Sequence, residues 1–284
     1  MLMDRGSLHN HTENPATLAD NDPERPGRRH EYGTRMKTTP LLQICCLVLS
    51  LCVSIPAGAK ETVDAARIVE NADQIRFPAQ GFQVDARVIS ITDGARSVHQ
   101  YRILSQNKDN TIVMTTAPAS ERGQTMLVKG QDLWVFMPNV SQAVRLPLSQ
   151  RLTGQVANGD LARANFSGDY DPELLRTETI EGREYHVLEL TAVNRRVTYH
   201  RVMYWVEKDS HRPFKAEFYA LSGNLLKTAH YRDYVTMAGV ERPSKLYMQD
   251  PLKSGSHSLM EYSNMQLRDL PDRFFTHNYL RRLQ

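Results

Sequence analysis

The residue types that could carry out covalent chemistry are dispersed along this chain of 284 residues. Beyond residue 60 the histidines are His99, His186, His200, His211, His230, His257 and His277, and none has a second histidine or a carboxylate at a metal-site spacing. His9 and His11 sit in a polar tail with no further ligand beside them. The G-x-S-x-G elbow, the phosphate-cradling glycine loop and the H-E-x-x-H pair do not occur. Asp169 and Asp171 flank Tyr170 and have the spacing of an acid and a base, with Ser149 and Ser167 as candidate hydroxyls. An Asx turn followed by a helix cap accounts for this carboxylate pair more simply. The expectation is therefore a protein without catalytic residues, metal or cofactor.

Large, pliable apolar side chains are more plentiful. Met114, Met126, Trp134, Phe136, Met203, Trp205, Phe218 and Met248 all fall in segments of alternating polarity. Methionine suits surfaces that adapt to variable apolar partners. Filling an ordinary core is the plain role for such residues. A sheet of many strands, bent round, encloses more space than its own side chains fill. These residues are accordingly expected to line a cavity, with an acyl chain as its natural occupant.

The elements that must position them are mostly strands. Residues 61–76 have apolar positions at Val63, Ala66, Ile68, Val69, Ala72 and Ile75, which is helical spacing, and the helix must stop before Phe77-Pro78. From there the period becomes two. Strands are predicted over 83–91, 97–106, 110–117, 124–128, 132–137, 143–147, 176–180, 185–192, 197–207, 213–221, 226–235, 240–249 and 256–266. Asp93-Gly94, Glu181-Gly182, Ala238-Gly239 and similar pairs between them are hairpin turns. Residues 149–171 lack a steady period and are expected to form a lid or binding loop together with the first helix. Asp171-Pro172-Glu173 reads as the cap and first positions of a short helix over 173–175. Thr276 is expected to cap a final helix over 276–283.

The N-terminal part has a different character. Residues 1–35 are polar and without apolar period, so they are expected to be disordered. Met36-Lys37, the apolar run 41–55 and the small-residue ending Ala57-Gly58-Ala59 make 36–59 a signal peptide, cleaved after Ala59. Met36 would then be a natural start of translation. The apolar run is shorter than the roughly 20 residues a membrane span requires. Residues 60–284 remain as one domain. Cys45, Cys46 and Cys52 all lie in the export segment, which suits a product destined for an oxidising periplasm. The net charge of +3 is too small and too evenly spread to suggest nucleic-acid binding.

LWVFMP at 133–138, VRLP at 144–147, FSGDYD at 166–171 and YWV at 204–206 form an ordered set of motifs. PFKAEFYALSGNLLK at 213–227 and LPDRFFT at 270–276 continue it. The set resembles the outer-membrane lipoprotein-sorting proteins, specifically their LolA-like branch, over about 84–283. The resemblance implies a mainly β fold, in which a curved antiparallel sheet forms an incomplete β-barrel with a helical lid. It also implies a periplasmic carrier that binds acyl chains of a lipoprotein or lipid and passes them toward the outer membrane. An inner-membrane transporter would be the donor and an outer-membrane protein the acceptor. The alternative is a non-catalytic periplasmic accessory or sensor subunit of a membrane transporter or signalling complex. Trp134, Arg145, Asp169, Tyr170 and Trp205 match the branch, and Arg145, Asp169 and Tyr170 are its lid and loop candidates here. The best-studied carriers tie the lid with an arginine beside a proline on an early strand. Arg87, Arg96 and Arg102 lie in that region without such a proline.

Overall fold

A computed structural model describes residues 64–281 except 139, 141, 164 and 254. The expected tail 1–35, the signal peptide 36–59 and the cleavage after Ala59 lie outside the described residues. The first element is α1 (Ala65–Arg76), whose cap Asp64 accepts from the backbone N–H groups of Ala66 at 3.0 Å and Arg67 at 3.3 Å. Its buried face carries Ile68, Val69 and Ala72. Phe77, before Pro78, is extended and ends the helix.

The chain then runs through β1 (Phe82–Thr92), β2 (Ala95–Gln106), β3 (Asn110–Ala117), β4 (Thr125–Lys129), β5 (Asp132–Phe136) and β6 (Val144–Leu146). Each is antiparallel to the one before. An excursion follows, with β7 (Arg151–Thr153), β8 (Val156–Ala157), α2 (Asn158–Ala162) and α3 (Phe166–Asp169). The second run comprises β9 (Tyr170–Ile180), β10 (Arg183–Ala192), β11 (Arg201–Glu207), β12 (Pro213–Tyr219), β13 (Leu225–Met237), β14 (Val240–Gln249) and β15 (His257–Leu267). The last helix is α4 (His277–Arg281), and Thr276 Oγ1 accepts from the Tyr279 N–H at 3.2 Å.

β15 pairs with β1 from Phe82 opposite Leu267 to Ile91 opposite His257, and this joins the two runs. The result is one 13-stranded antiparallel sheet in the order β6-β5-β4-β3-β2-β1-β15-β14-β13-β12-β11-β10-β9. Its edges β6 and β9 do not pair with each other, so the barrel stays open. Asp93 and Gly94 turn the β1–β2 hairpin with φ of 51° and 81°, the left-handed pair such a turn demands.

Two expectations are corrected. Asp171, Pro172 and Glu173 do not begin a helix but belong to β9, where Pro172 lies opposite Leu190. A proline is tolerated there because β9 is an edge strand, whose outward N–H positions have no ladder partner. The segment 149–171 is not irregular but contains β7, β8, α2 and α3. Its short elements make too few turns for a period to register.

The main core lies between the concave side of the sheet and the helices. Val84, Ile103, Val113, Leu188, Val202, Leu246 and Met260 from the strands pack with Ile68 and Val69 of α1, Leu161 of α2 and Phe166 of α3. Two smaller clusters cover parts of the opposite face. In one, Leu270, Phe275 and Leu280 of the C-terminal segment pack on Ile112, Leu127 and Phe136. In the other, Tyr185, Val187, Met203 and Trp205 pack together.

Candidate functional site

Strand register assigns each expected cavity residue to a face. Met126 stands opposite Val113 and Val135, and it shares the main core with Phe218 and Met248. These three line the concave side. Trp134, opposite Leu127, packs with Phe136 and Met114 under the C-terminal segment. The rings of Trp134 and Phe136 meet His277 edge-on at 4.9 and 5.3 Å. Met203 and Trp205 belong to the outer cluster of β10–β12, where the Trp205 indole N–H donates to Glu178 Oε2 at 2.8 Å. Met114, Trp134, Phe136, Met203 and Trp205 are thus separated from the interior they were expected to line. The cause is that both faces of these strands are covered. β4 is buried at Thr125, Met126, Leu127 and Val128 in succession, and β11 from Val202 to Val206, so polarity does not mark the inner face.

The lid and loop candidates divide in the same way. Arg145 is exposed on edge strand β6, paired with Asp132 and 6.0 Å from the Trp134 ring. Asp169 ends α3 and Tyr170 begins β9. Arg163 donates to Asp169 from Nε and Nη2, both at 2.7 Å, and from Nη1 to the Gly130 carbonyl at 2.7 Å and Asp109 Oδ1 at 3.1 Å. This bidentate fork joins the end of α3 to the β2–β3 and β4–β5 turns. Tyr170 is buried with its ring edge-on to Phe166 at 5.6 Å. Asp171 and Ser149 are exposed, and Ser167 lies within 3.3 Å of Lys108 Nζ. Among the described residues no group of three or more His, Cys, Asp or Glu could hold a metal ion.

The helices are held on the concave side by a few buried polar contacts. Arg242 of β14 donates from Nη1 to the carbonyls of Gln74 at 2.6 Å and Ile75 at 3.1 Å, at the negative end of α1. Its Nε donates to the Met237 carbonyl at 3.0 Å. Pro243 follows Arg242 in β14. Asp160 of α2 pairs with the Lys227 ammonium of β13 and accepts from the Tyr199 hydroxyl at 2.8 Å. Lys227 also donates to the Gln155 carbonyl at 2.9 Å. Burial pulls the Lys227 ammonium below the usual lysine range, and Asp160 opposes that pull. The Ser167 N–H of α3 donates to Asp73 Oδ2 at 2.8 Å and links α3 to α1. Burial pushes the Asp73 carboxyl up, against the pull of Arg76.

Arg76, Asp160, Lys227 and Arg242 were not singled out from sequence; Arg76, Lys227 and Arg242 are charges inside periodic segments, a signal of burial with a partner, whereas Asp160 lies in the aperiodic 149–171. The space left between the helices and the sheet consists of crevices rather than a chamber. The one bounded by Phe77, Phe82, Ile103 and Leu161 measures about 470 Å³, including the part open to solvent. The helices therefore occupy the apolar trough in this arrangement.

Comparison with known proteins places this architecture. A family model described as an uncharacterized protein matches residues 107–282. The crystal structure of a LolA superfamily protein from Nitrosomonas europaea is 56% identical, with a TM-score of 0.73, covering 76% of this chain and 99% of that one. The chain belongs to the LolA superfamily. A DUF1329 family protein from Desulfovibrio piger shares the fold at 22% identity and a TM-score of 0.67, covering 76% of this chain and 97% of that one. A domain from Vibrio parahaemolyticus, named for outer membrane lipoprotein sorting, does so at 20% identity and a TM-score of 0.65, with the same coverage. No curated protein sequence matches significantly.

Proposed function

We propose that this protein is a non-catalytic periplasmic carrier that takes the acyl chains of a lipoprotein or lipid into its concave interior and passes them toward the outer membrane. The observation that carries this reading is the cover of the trough. The apolar concave face is roofed by short helices and the small β7–β8 hairpin, through a handful of polar contacts, and not by strands of the main sheet. Such a roof can be displaced without unpairing the sheet.

Carriage requires no covalent step, only a difference in affinity between donor, carrier and acceptor. Burying an acyl chain is favourable by about 0.8 kcal/mol per methylene. In the closed arrangement Val69, Leu161 and Phe166 already cover the strands. Cargo therefore replaces one apolar contact with another, which keeps the net gain small enough for release. The export segment 36–59 and the restriction of cysteine to it support a periplasmic location. So does the family, since the Vibrio domain is named for lipoprotein sorting. An inner-membrane transporter as donor and an outer-membrane protein as acceptor fit that path.

Mass spectrometry of organic extracts from the purified protein, together with uptake of a fluorescent fatty acid, tests the reading. Bound lipid and saturable uptake are expected. A protein that neither carries nor takes up any acyl compound contradicts it.

A further inference from the structure

Arg76, in the last turn of α1, is 8% exposed. Its guanidinium nevertheless makes a single hydrogen bond among the described residues, from Nη1 to Asp73 Oδ1 at 3.0 Å. A guanidinium has five N–H donors in a planar fork matched to two oxygens of a carboxylate or phosphate. The flat face of the group is occupied, with the Phe166 ring 4.2 Å and the Tyr231 ring 5.8 Å from its central carbon. Arg76 lines two narrow crevices. One, of about 400 Å³ including the part open to solvent, continues toward Tyr199 and Met248. The other, of about 300 Å³ on the same measure, lies against Pro243, Lys245 and Tyr262. The buried Tyr204 hydroxyl, in the same aromatic cluster, also has no hydrogen-bond partner among the described residues.

We infer that Arg76 holds the oxyanion head, carboxylate or phosphate, of an acidic amphiphile whose tail lies in the apolar trough. The inference rests on the carriage reading and narrows its cargo. Neighbouring carboxylates leave the position open, because Asp73 takes one donor of Arg76 and Asp160 is paired with Lys227. Lys245 borders the second crevice and is paired with Asp233 at 2.6 Å. A neutral head such as a methyl ester lacks the charge that this site would recognise. The carboxylate of a free fatty acid or the phosphate of a lysophosphatidic acid has it.

The experiment measures displacement of a fluorescent fatty acid from the full protein by palmitate, palmitoyl lysophosphatidic acid, methyl palmitate, acetate and inorganic phosphate. The acidic lipids should bind at least about tenfold more tightly than the methyl ester, the worth of one charge-assisted hydrogen-bonded pair. Whichever acidic lipid binds more tightly identifies the head. Acetate and phosphate should not compete. Arg76→Met should remove the preference while keeping ester binding, and Arg76→Lys should retain part of it. The comparison in the unaltered protein stands even if a variant fails to fold. Equal affinity for acid and ester overturns the inference and leaves carriage intact. Competition by free phosphate as strong as that by the lipid overturns the amphiphile assignment. Failure to bind any acyl compound overturns both.

Discussion

The side chains of Lys227 and Asp160 are 4% and 6% exposed, and each is the other's counter-ion. Lys227→Met should therefore cost about 3–5 kcal/mol, because a carboxylate is left without its cation in a low-dielectric site. Urea unfolding reads this loss, and Lys227→Met combined with Asp160→Asn should regain most of it. His186 gives a pH dependence. Burial first, then Lys208 and His211, holds its imidazole below the ordinary value of 6.5. The unfolded chain then takes up the proton before the native one. Stability is full above that ordinary value and falls as pH drops from it toward the lower folded value. Thermal melts in a series of buffers should show this decline below about pH 6.5, and His186→Gln should lessen it, because burial also holds the His230 imidazole down and contributes the rest. The types of these residues were plain in the sequence, but their pairing was not. Lys227 and Asp160 are distant in sequence, and only the docking of α2 on β13 brings them together. The same limit applies to Trp134 and Trp205, whose size suggested a cavity wall although each packs on the outer side. Trp205→Phe removes the bond to Glu178 and should leave fatty-acid uptake unchanged.

Among the elements, α1 connects the fold to its proposed work. Arg242 binds the last carbonyls of that helix, and Asp64 caps its first turn. Arg242→Met should loosen α1 from the sheet. Hydrogen exchange should show faster exchange of the amides of residues 68–76, with β13 and β14 still protected, and lipid uptake should accelerate. Asp64→Ala should cost about 1 kcal/mol, the ordinary worth of a helix N-cap. Element by element, the strands were well marked because turn residues separate them and period-two polarity fills them. The expected 110–117 and 240–249 coincide with β3 and β14. The start of β9 was misread because Asp171-Pro172-Glu173 is a good local helix start, and pairing with β10 overrides it. The roles of α2 and α3 were hidden for a related reason. Helices of five and four residues have too little length for amphipathic spacing, and tertiary contacts such as Asp160–Lys227 and Arg163–Asp169 hold them instead.

At the scale of the whole molecule, two antiparallel runs meet at β1 and β15, and the free edges β6 and β9 leave the trough unclosed by backbone pairing. The curved sheet and helical cover were anticipated from the motifs. The cavity expected there is narrowed to crevices in this arrangement, since α1, α2 and α3 pack on the concave side. The number of strands sets how much space a sheet encloses, but only packing reveals what occupies it. In the proposed carriage, cargo takes the place of these helices against the concave face, while the two outer clusters remain covered. Photocrosslinking with a diazirine-bearing fatty acid, followed by peptide mass spectrometry, measures this directly. The account predicts adducts at Met126, Phe218, Met248 and neighbouring residues of the trough. Adducts confined to Met114, Trp134, Met203 or Trp205, or none at all, would contradict it.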